Sequence, residues 1–177
     1  AEKLHVFIEE LLAENNLQFS DLNAIAVSQG PGSYTGLRIG VSSAKGFCYA
    51  LNIPMIAIDT LQLLAKQIQI EEGIIIPMID ARRMEVFTAF YDKNHNQIRN
   101  TQAEIIDETS YQEISETIHL VGDGTEKFKN TLTDDKFVFH SGVVFPSANE
   151  MSQLSFDKYK ISDFVDVAYF EPYYLKD

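Results

Sequence analysis

A glycine-rich run over residues 30–40 is the first place in this chain where residue types and spacing could support chemistry. It reads Gly-Pro-Gly-Ser-Tyr-Thr-Gly-Leu-Arg-Ile-Gly, follows a short apolar stretch and opens a helical pattern. Backbone amides at the start of a helix can hold a phosphate or another anion. The alternative is a tight turn from a strand into a helix without any ligand, which requires the same glycines.

The spacing within this run excludes the two best-known phosphate-binding loops. A Walker loop has lysine and a hydroxyl residue directly after its last glycine, whereas Gly36 is followed by Leu37 and Arg38. A dinucleotide-binding fingerprint has a third glycine at the position where Thr35 stands. The sequence therefore favours the tight turn, with Ser33 as the residue that caps the following helix.

Two further turns bring acids, bases and glycines together, and we regard both as candidates for a cleft between two lobes. Their residues are Asp80, Arg82 and Glu85 in the first turn and Gly122, Asp123 and Gly124 in the second. The first turn could face the cleft, or its charges could form a structural salt bridge. The second turn could admit a nucleotide, or it could be an ordinary turn.

The remaining polar residues form no recognised catalytic or metal-binding motif. The histidines are scattered, and none belongs to a dense ligand pattern, so the sequence predicts neither a metal nor a cofactor. The chain contains no Gly-x-Ser-x-Gly elbow, which leaves a serine hydrolase with little support. The net charge of −12 at pH 7 predicts a poor binder of nucleic acid when the protein is alone.

The helix predicted after the glycine-rich run carries small residues beside its apolar face. One track holds Gly36, Gly40 and Ser43. An interior glycine costs a helix roughly 0.5–1 kcal/mol relative to alanine, so close packing has to offset that cost. The backbone that packs against this track belongs either to a helix of the same chain or to a helix of a partner subunit.

Hydrophobic periodicity divides the first part of the chain into alternating helices and strands. An amphipathic helix is predicted over 4–15, buried strands over 24–28 and 54–58, and helices over 33–51 and 60–69. The first helix begins without a capping residue, so we expect a further segment upstream of it. A polar break at 71–73 ends this N-terminal lobe, predicted to cover residues 1–72 and to be partial.

The second part, residues 73–177, is predicted to form a C-terminal lobe. Strands over 74–79, 84–91 and 97–106 predict an antiparallel meander. Later elements are a short helix over 107–115, a strand over 118–121, a helix over 125–132 and a strand over 136–140. A capping-box pattern at 147–150 starts a last helix, which reaches residue 156 or a little further. The apolar runs are too short to span a membrane, and we expect a cytoplasmic protein.

Several motifs in this order resemble the TsaB family, also called YeaZ. They are the glycine-rich run with Asp-Leu-Asn-Ala-Ile-Ala-Val before it and Ala-Lys-Gly after it, Asp80-Ala81-Arg82, Glu85-Val86-Phe87, Gly122-Asp123-Gly124, Pro146-Ser147-Ala148 and Glu171-Pro172-x-Tyr174-Leu175. The resemblance spans nearly the whole chain. It implies the α/β fold of the actin-like ATPase (ASKHA) superfamily, with two ribonuclease H-like lobes and with the N-terminal strands of the first lobe missing from this chain.

The resemblance also implies a function in tRNA modification. The family takes part in making threonylcarbamoyladenosine, the modified base next to the anticodon of some bacterial tRNAs. Its members are non-catalytic scaffolds for the paralogue TsaD, which holds the metal and transfers the threonylcarbamoyl group, and the ATPase TsaE joins the pair. Contact with tRNA would come only through the complex. The alternative function is an independent ATPase or phosphotransferase of the actin fold.

Family members pair through helices of the N-terminal lobe, and in isolation they form homodimers through the same surface. Carried over to this sequence, the interface candidates are Leu4, Ile8, Leu11, Gly36, Arg38, Gly40, Ser43 and Phe47. The family's motif loop corresponds to Gly30, Pro31, Gly32, Ser33, Tyr34 and Thr35. The resemblance therefore predicts a protein interface, rather than a catalytic centre, around the glycine-rich run.

Overall fold

The computed structural model describes residues 3–175 as a mixed α/β protein with two sheets. The helices are α1 (Leu4–Glu14), α2 (Tyr34–Leu51), α3 (Thr60–Ala65) and α4 (Ala148–Lys160). The strands are β1 (Ile25–Gly30), β2 (Met55–Asp59), β3 (Ile74–Asp80), β4 (Glu85–Tyr91), β5 (Gln97–Ile105), β6 (Ile118–Val121) and β7 (Phe137–Phe139). Short 3-10 helices cover Phe19–Asp21 and Glu126–Phe128.

The first sheet consists of β1 and β2, which run parallel because α2 returns the chain between them. Helix α2 begins where the Ser33 hydroxyl accepts a hydrogen bond from the Gly36 amide at 3.4 Å. It ends at Asn52, whose backbone is left-handed with φ of 54°. The buried side chains of α2 are Val41, Ala44 and Cys48, so its apolar face packs on this sheet as predicted.

The second sheet has five strands in the order β5-β4-β3-β6-β7. The first three strands along the chain form the predicted antiparallel meander, and β6 and β7 then add parallel to β3. One face of the sheet covers a core that includes Ile76, Met78, Leu120 and Phe128. Because β3 and β6 are parallel, the turns that follow them lie at the same edge of the sheet.

Helix α3 lies between the two sheets. Its Leu61 and Leu64 are fully buried in a cluster with Ile75 and Val121 of the second sheet. Leu63, on the other side of the helix, packs in a cluster with strand β2. The helix therefore contributes to both cores and holds them together.

The C-terminal segment returns to the first sheet. Met151 and Leu154 of α4 pack on the cluster formed by β2 and α3. Further along, Val165 forms an isolated antiparallel bridge with Met55, and the Tyr173 amide donates a hydrogen bond to the Gln29 carbonyl at 2.7 Å. The division of the chain into lobes at residue 72 stays a prediction. Helix α4 and the tail, which that division assigns to the second lobe, make these contacts with the first sheet and α3.

Two predicted helices of the C-terminal lobe are wrong in whole or in part. Residues 107–115 form turns, because the Asp107 carboxylate accepts hydrogen bonds from the amide and the hydroxyl of Thr109, at 2.8 and 2.7 Å, and Tyr111 has φ of 66°. In 125–132 only the 3-10 helix forms, and Phe128 of that helix is fully buried in the core. Helix α3 also ends earlier than predicted, at Ala65.

We expect Gly122→Ala to destabilise the protein by at least about 2 kcal/mol, because its backbone has φ of 106° and an added Cβ would lie 2.3 Å from the Met78 carbonyl oxygen. Gly142→Ala is the matched control, since a Cβ there meets nothing within 4 Å. Urea unfolding of both variants measures the difference. Equal stabilities would contradict the role given to the turn after β6.

Candidate functional site

The glycine-rich loop is closed by bonds within the chain. The Gly30 amide donates to Thr60 Oγ1 at 3.1 Å, and an added Cβ at Gly30 would lie 2.8 Å from the Tyr173 carbonyl oxygen. At the start of α2, the Gly36 amide donates to the Ser33 hydroxyl and the Leu37 amide to the Ser33 carbonyl. These amides serve the turn itself, which is the geometry of a tight strand-to-helix connection.

The small-residue track on α2 is left open by the rest of the described chain. An added Cβ at Gly40 would meet only Val27 Cγ2, at 3.9 Å, among residues 3–175. A Cβ at Gly46, on another side of the helix, would meet none of them within 4 Å. Ser43 is half-buried on the same track, close to Gly40. The described residues therefore supply no backbone that packs closely on this track.

Helix α1 exposes most of its apolar side chains. None of its residues is buried, and Phe7 and Leu11 are 57% and 60% exposed. Leu4 and Ile8 are half-buried. An amphipathic helix normally buries its apolar face against another element, so this face is available for a further contact.

Aromatic contacts attach α1 to α2. Phe47 of α2 lies between two rings, with centroid distances of 5.3 Å to His5 of α1 and 5.3 Å to Phe19. Phe47 follows Ser43 by one helical turn and is therefore on the small-residue side of α2. The exposed face of α1 and the track on α2 thus adjoin. We call this combined region the α1–α2 surface.

The C-terminal tail forms a cavity of about 330 Å³ with another side of α2. Lys45 anchors the tail there, because its ammonium donates hydrogen bonds to the carbonyl oxygens of Ala168 and Phe170 at 3.0 and 2.9 Å. Arg38 also lines the cavity and donates to the Tyr34 hydroxyl at 2.9 Å. The sequence analysis gave Arg38 as an interface candidate and Tyr34 as part of the motif loop. The structure places both beside the C-terminal tail, on another side of α2 from the small-residue track, and neither this position nor Lys45 was predicted.

The two predicted cleft turns meet at the edge of the second sheet. The Asp123 carboxylate accepts a hydrogen bond from the Asp80 amide at 3.0 Å. An added Cβ at Gly124 would lie 2.9 Å from Val86 Cγ1, so the second turn packs directly on strand β4. Gly122 contacts Met78 in the same way on strand β3. The turns therefore fill the space between each other with their own backbone.

Lys127, which the sequence analysis missed, is the cation at the centre of these turns. Its ammonium donates to the carbonyl oxygens of Arg83 and Glu85 at 2.7 and 2.8 Å and to the carboxylate of Asp80. The hydrogen bond from Lys127 lowers the pKa of Asp80 below its ordinary value of 3.8. The Asp80 charge is thus used in a salt bridge, as one of the two sequence-based alternatives proposed, but its partner is Lys127 rather than a neighbouring arginine.

Three of the histidines, His95, His119 and His140, have hydrogen-bond partners within the protein. His119 Nδ1 and His140 Nε2 lie 2.9 Å apart, and burial followed by the neighbouring His119 lowers the pKa of His140. His95 Nε2 lies 2.9 Å from the Ile68 carbonyl oxygen, so that nitrogen carries the proton. Within residues 3–175, no cluster of three metal-ligating side chains occurs, and no helix there is long and apolar enough to cross a membrane.

A family model and named relatives match this chain, and two of these matches cover almost its full length. The family model described as "TsaD: tRNA N6-adenosine threonylcarbamoyltransferase" matches residues 1–169. The tRNA threonylcarbamoyladenosine biosynthesis protein TsaB of Escherichia coli K12 is 30% identical over 186 residues, which are 99% of this chain and 80% of that protein. The protein of the same name from Bacillus subtilis 168 is 43% identical over 84 residues, or 48% of this chain and 37% of that protein.

Solved structures share the fold. YeaZ from Pseudomonas aeruginosa has a TM-score of 0.84 at 22% identity and matches 98% of this chain and 83% of its own. A second structure, of an uncharacterised protein with similarity to peptidase YeaZ, has a TM-score of 0.85 at 22% identity, over 99% and 84% of the two chains. Together with the family model over residues 1–169, these structures confirm the predicted actin-like α/β fold, and the presence of further N-terminal strands stays a prediction. With the sequence relatives, they show that the chain belongs to the TsaB family, also called YeaZ.

Proposed function

We propose that this chain is a non-catalytic subunit of the complex that installs threonylcarbamoyladenosine in tRNA. In this complex it pairs with the catalytic paralogue TsaD and supports it, and the ATPase TsaE joins the pair. The uncovered α1–α2 surface, in a chain that belongs to the TsaB family, is the observation that carries the proposal. The complex would act on tRNA in the cytoplasm.

The α1–α2 surface has the properties of a helix-pairing interface. Gly36, Gly40 and Ser43 have short side chains or none, so a partner helix can approach the backbone of α2 closely. The exposed Phe7 and Leu11 supply apolar area next to this track. Burial of apolar area stabilises an interface by about 25 cal/mol per Å² before the costs of association. A second copy of the chain fits the same surface, which gives a homodimer when TsaD is absent.

The geometry of the two turns supports a scaffold over the alternative ATPase or phosphotransferase. In open α/β sheets, ligands bind in the crevice outside the carboxyl ends of the strands. Here the Lys127 ammonium occupies that position and bonds to Asp80 and two backbone carbonyls. Gly124 packs against Val86 on the same side. A nucleotide would have to displace these contacts.

The contacts of two serines and two histidines argue against a peptidase, the activity that the name of one related structure mentions. The Ser33 hydroxyl caps α2, and the Ser28 hydroxyl lies 2.6 Å from that of Thr60. His119 and His140 are bonded to each other. A serine nucleophile requires a histidine as its base within hydrogen-bond distance, and these contacts commit the residues to other partners.

Deleting the gene that encodes this chain should remove threonylcarbamoyladenosine from tRNA, because TsaD would lose the subunit that supports it. Mass spectrometry of nucleosides from digested tRNA measures the modification. Complementation with the wild-type gene should restore it. An unchanged content of the modified base in the deletion strain would contradict the proposed function.

Gly40→Leu should weaken pairing with TsaD at least about tenfold, because the new side chain fills the space that a partner helix needs. The isolated chain should keep its stability or gain up to about 1 kcal/mol, since leucine is the better helix former. Gly142→Leu adds the same side chain at a site open to solvent and is the control. Co-elution with TsaD and urea unfolding measure the two effects, and unimpaired pairing of Gly40→Leu would refute the assigned interface.

Lys127→Met should destabilise the chain at pH 6, where Asp80 is ionised, and the difference from wild type should shrink below pH 4. The lysine lowers the folded pKa of Asp80 below 3.8, so the stability it contributes is present above that value and is lost as the pH falls through the folded pKa. Urea unfolding across this pH range measures it. Lys129→Met, which removes an exposed ion pair with Glu126, is the control and should show little change.

A further inference from the structure

The loop between β3 and β4 holds two consecutive arginines in a left-handed backbone conformation. Arg82 has φ of 71° and Arg83 has φ of 53°. Side chains with a Cβ rarely adopt this conformation, and glycine and asparagine adopt it more readily. Hydrogen bonds from Ala81 N to the Glu85 carbonyl and from Glu85 N to the Arg82 carbonyl close the loop, at 3.1 and 3.2 Å.

Contacts from the inner side fix this conformation. The Asp80 carboxylate accepts a hydrogen bond from the Arg82 amide at 3.0 Å. Lys127 binds the Arg83 and Glu85 carbonyl oxygens, as described above. These hydrogen bonds, from Lys127 and to Asp80, all involve backbone atoms of the loop. The side chains of Arg82 and Arg83 take no part in them and are exposed. The fold thus holds two neighbouring guanidinium groups at the surface in a backbone conformation that arginine itself disfavours.

Neither arginine forms an ion pair in the part of the chain that the structure describes. Three acids of the neighbouring turns have other partners: Asp80 binds Lys127, the Asp123 carboxylate accepts a hydrogen bond from the Asp80 amide, and Glu126 pairs with Lys129 at 2.8 Å. After Lys127, the charge of Arg82 also helps to lower the pKa of Asp80, without a hydrogen bond between the two side chains. Each guanidinium therefore keeps its planar set of donors, which matches the oxygens of a phosphate or a carboxylate. A strained backbone, such as the left-handed conformation of Arg82 and Arg83, is often found in ligand-binding loops.

We infer that Arg82 and Arg83 bind backbone phosphates of an RNA. The inference rests on the proposed function, in which that RNA is the tRNA held by the complex. An exposed pair of guanidinium groups on a loop suits an extended chain of phosphates, which proteins contact mainly with arginine and lysine. A free nucleotide fits less well, because Lys127 and the packed Gly124 turn occupy the space behind the loop. The net charge of −12 disfavours a broad contact with RNA, so the proposal assigns most of the RNA contact to the partner.

The test is a titration of labelled tRNA transcript with the complex of this chain and TsaD at several salt concentrations. Arg82→Gln with Arg83→Gln should weaken binding at least about fivefold near 0.1 M salt. It should also reduce the slope of log affinity against log salt by about 1.4–1.8, since each phosphate contact contributes about 0.7–0.9. The control, Lys129→Gln with Lys160→Gln, removes the same charge from exposed ion pairs and should leave the slope unchanged.

A second pair of substitutions separates binding from folding. Arg82→Asn with Arg83→Asn suits the left-handed backbone, so the melting temperature should stay equal or rise while the affinity for tRNA falls as in the glutamine variant. Arg82→Lys with Arg83→Lys keeps the charge and should keep most of the salt slope. An unchanged slope in the glutamine variant, with normal co-elution with TsaD, would overturn the inference.

The remaining outcomes identify other occupants of the loop. Loss of ATP binding by the glutamine variant, with an unchanged slope for tRNA, would assign the arginines to a nucleotide and refute the RNA assignment. Loss of co-elution with TsaD would assign them to a protein partner and refute it as well. Failure of the wild-type chain to pair with TsaD would contradict the proposed function, whereas an unchanged salt slope in a glutamine variant that still pairs with TsaD would contradict only the RNA assignment.

Discussion

The burial of helix α3 between the two sheets is the constraint on which the rest of the structure depends. The helix begins directly after β2, where the Asp59 carboxylate accepts hydrogen bonds from the amides of Leu61 and Gln62 at 2.8 and 3.2 Å. Burial raises the pKa of Asp59, and these two amides partly offset that effect. The first helical residue, Thr60, also binds Ser28 and the Gly30 amide. The same turn therefore fixes the core, the helix and the glycine-rich loop.

This arrangement holds the start of α2 in place and leaves α1, the other helix of the proposed interface, without a buried residue. The start of α2 follows from the loop, which Thr60 holds on one side and the tail residue Tyr173 on the other. Helix α1 is held less firmly. An aromatic contact between His5 and Phe47 attaches it to α2, but none of its residues is buried. A partner that covers both helices would supply the burial that α1 lacks.

The sequence predicted those elements whose signals are local. The hydroxyl of Ser33 and the left-handed Asn52 set the ends of α2, and Ser147 starts α4 by accepting a hydrogen bond from the Asn149 amide at 3.1 Å. Contacts between distant residues gave no such signal: Lys127 lies 47 positions from Asp80, and the tail binds α2 through Lys45 across more than 120 positions. Local side-chain bonds at Asp107 also prevented a helix that hydrophobic periodicity favoured.

The same fold can serve catalysis in one protein and support in another, because function lies in the residues at particular sites. Here the carboxyl ends of β3 and β6 meet at the edge where α/β sheets bind ligands, and the chain places its own Lys127 there. That ammonium neutralises Asp80 and fixes the backbone of the loop before β4, so a group positioned to stabilise structure occupies the place where a ligand would bind. Near the start of the chain, the α1–α2 surface is not covered by any other described residues. Internal contacts thus fill the space at one region, while the other region keeps an exposed surface, which fits the proposed role of a subunit that supports a catalytic partner.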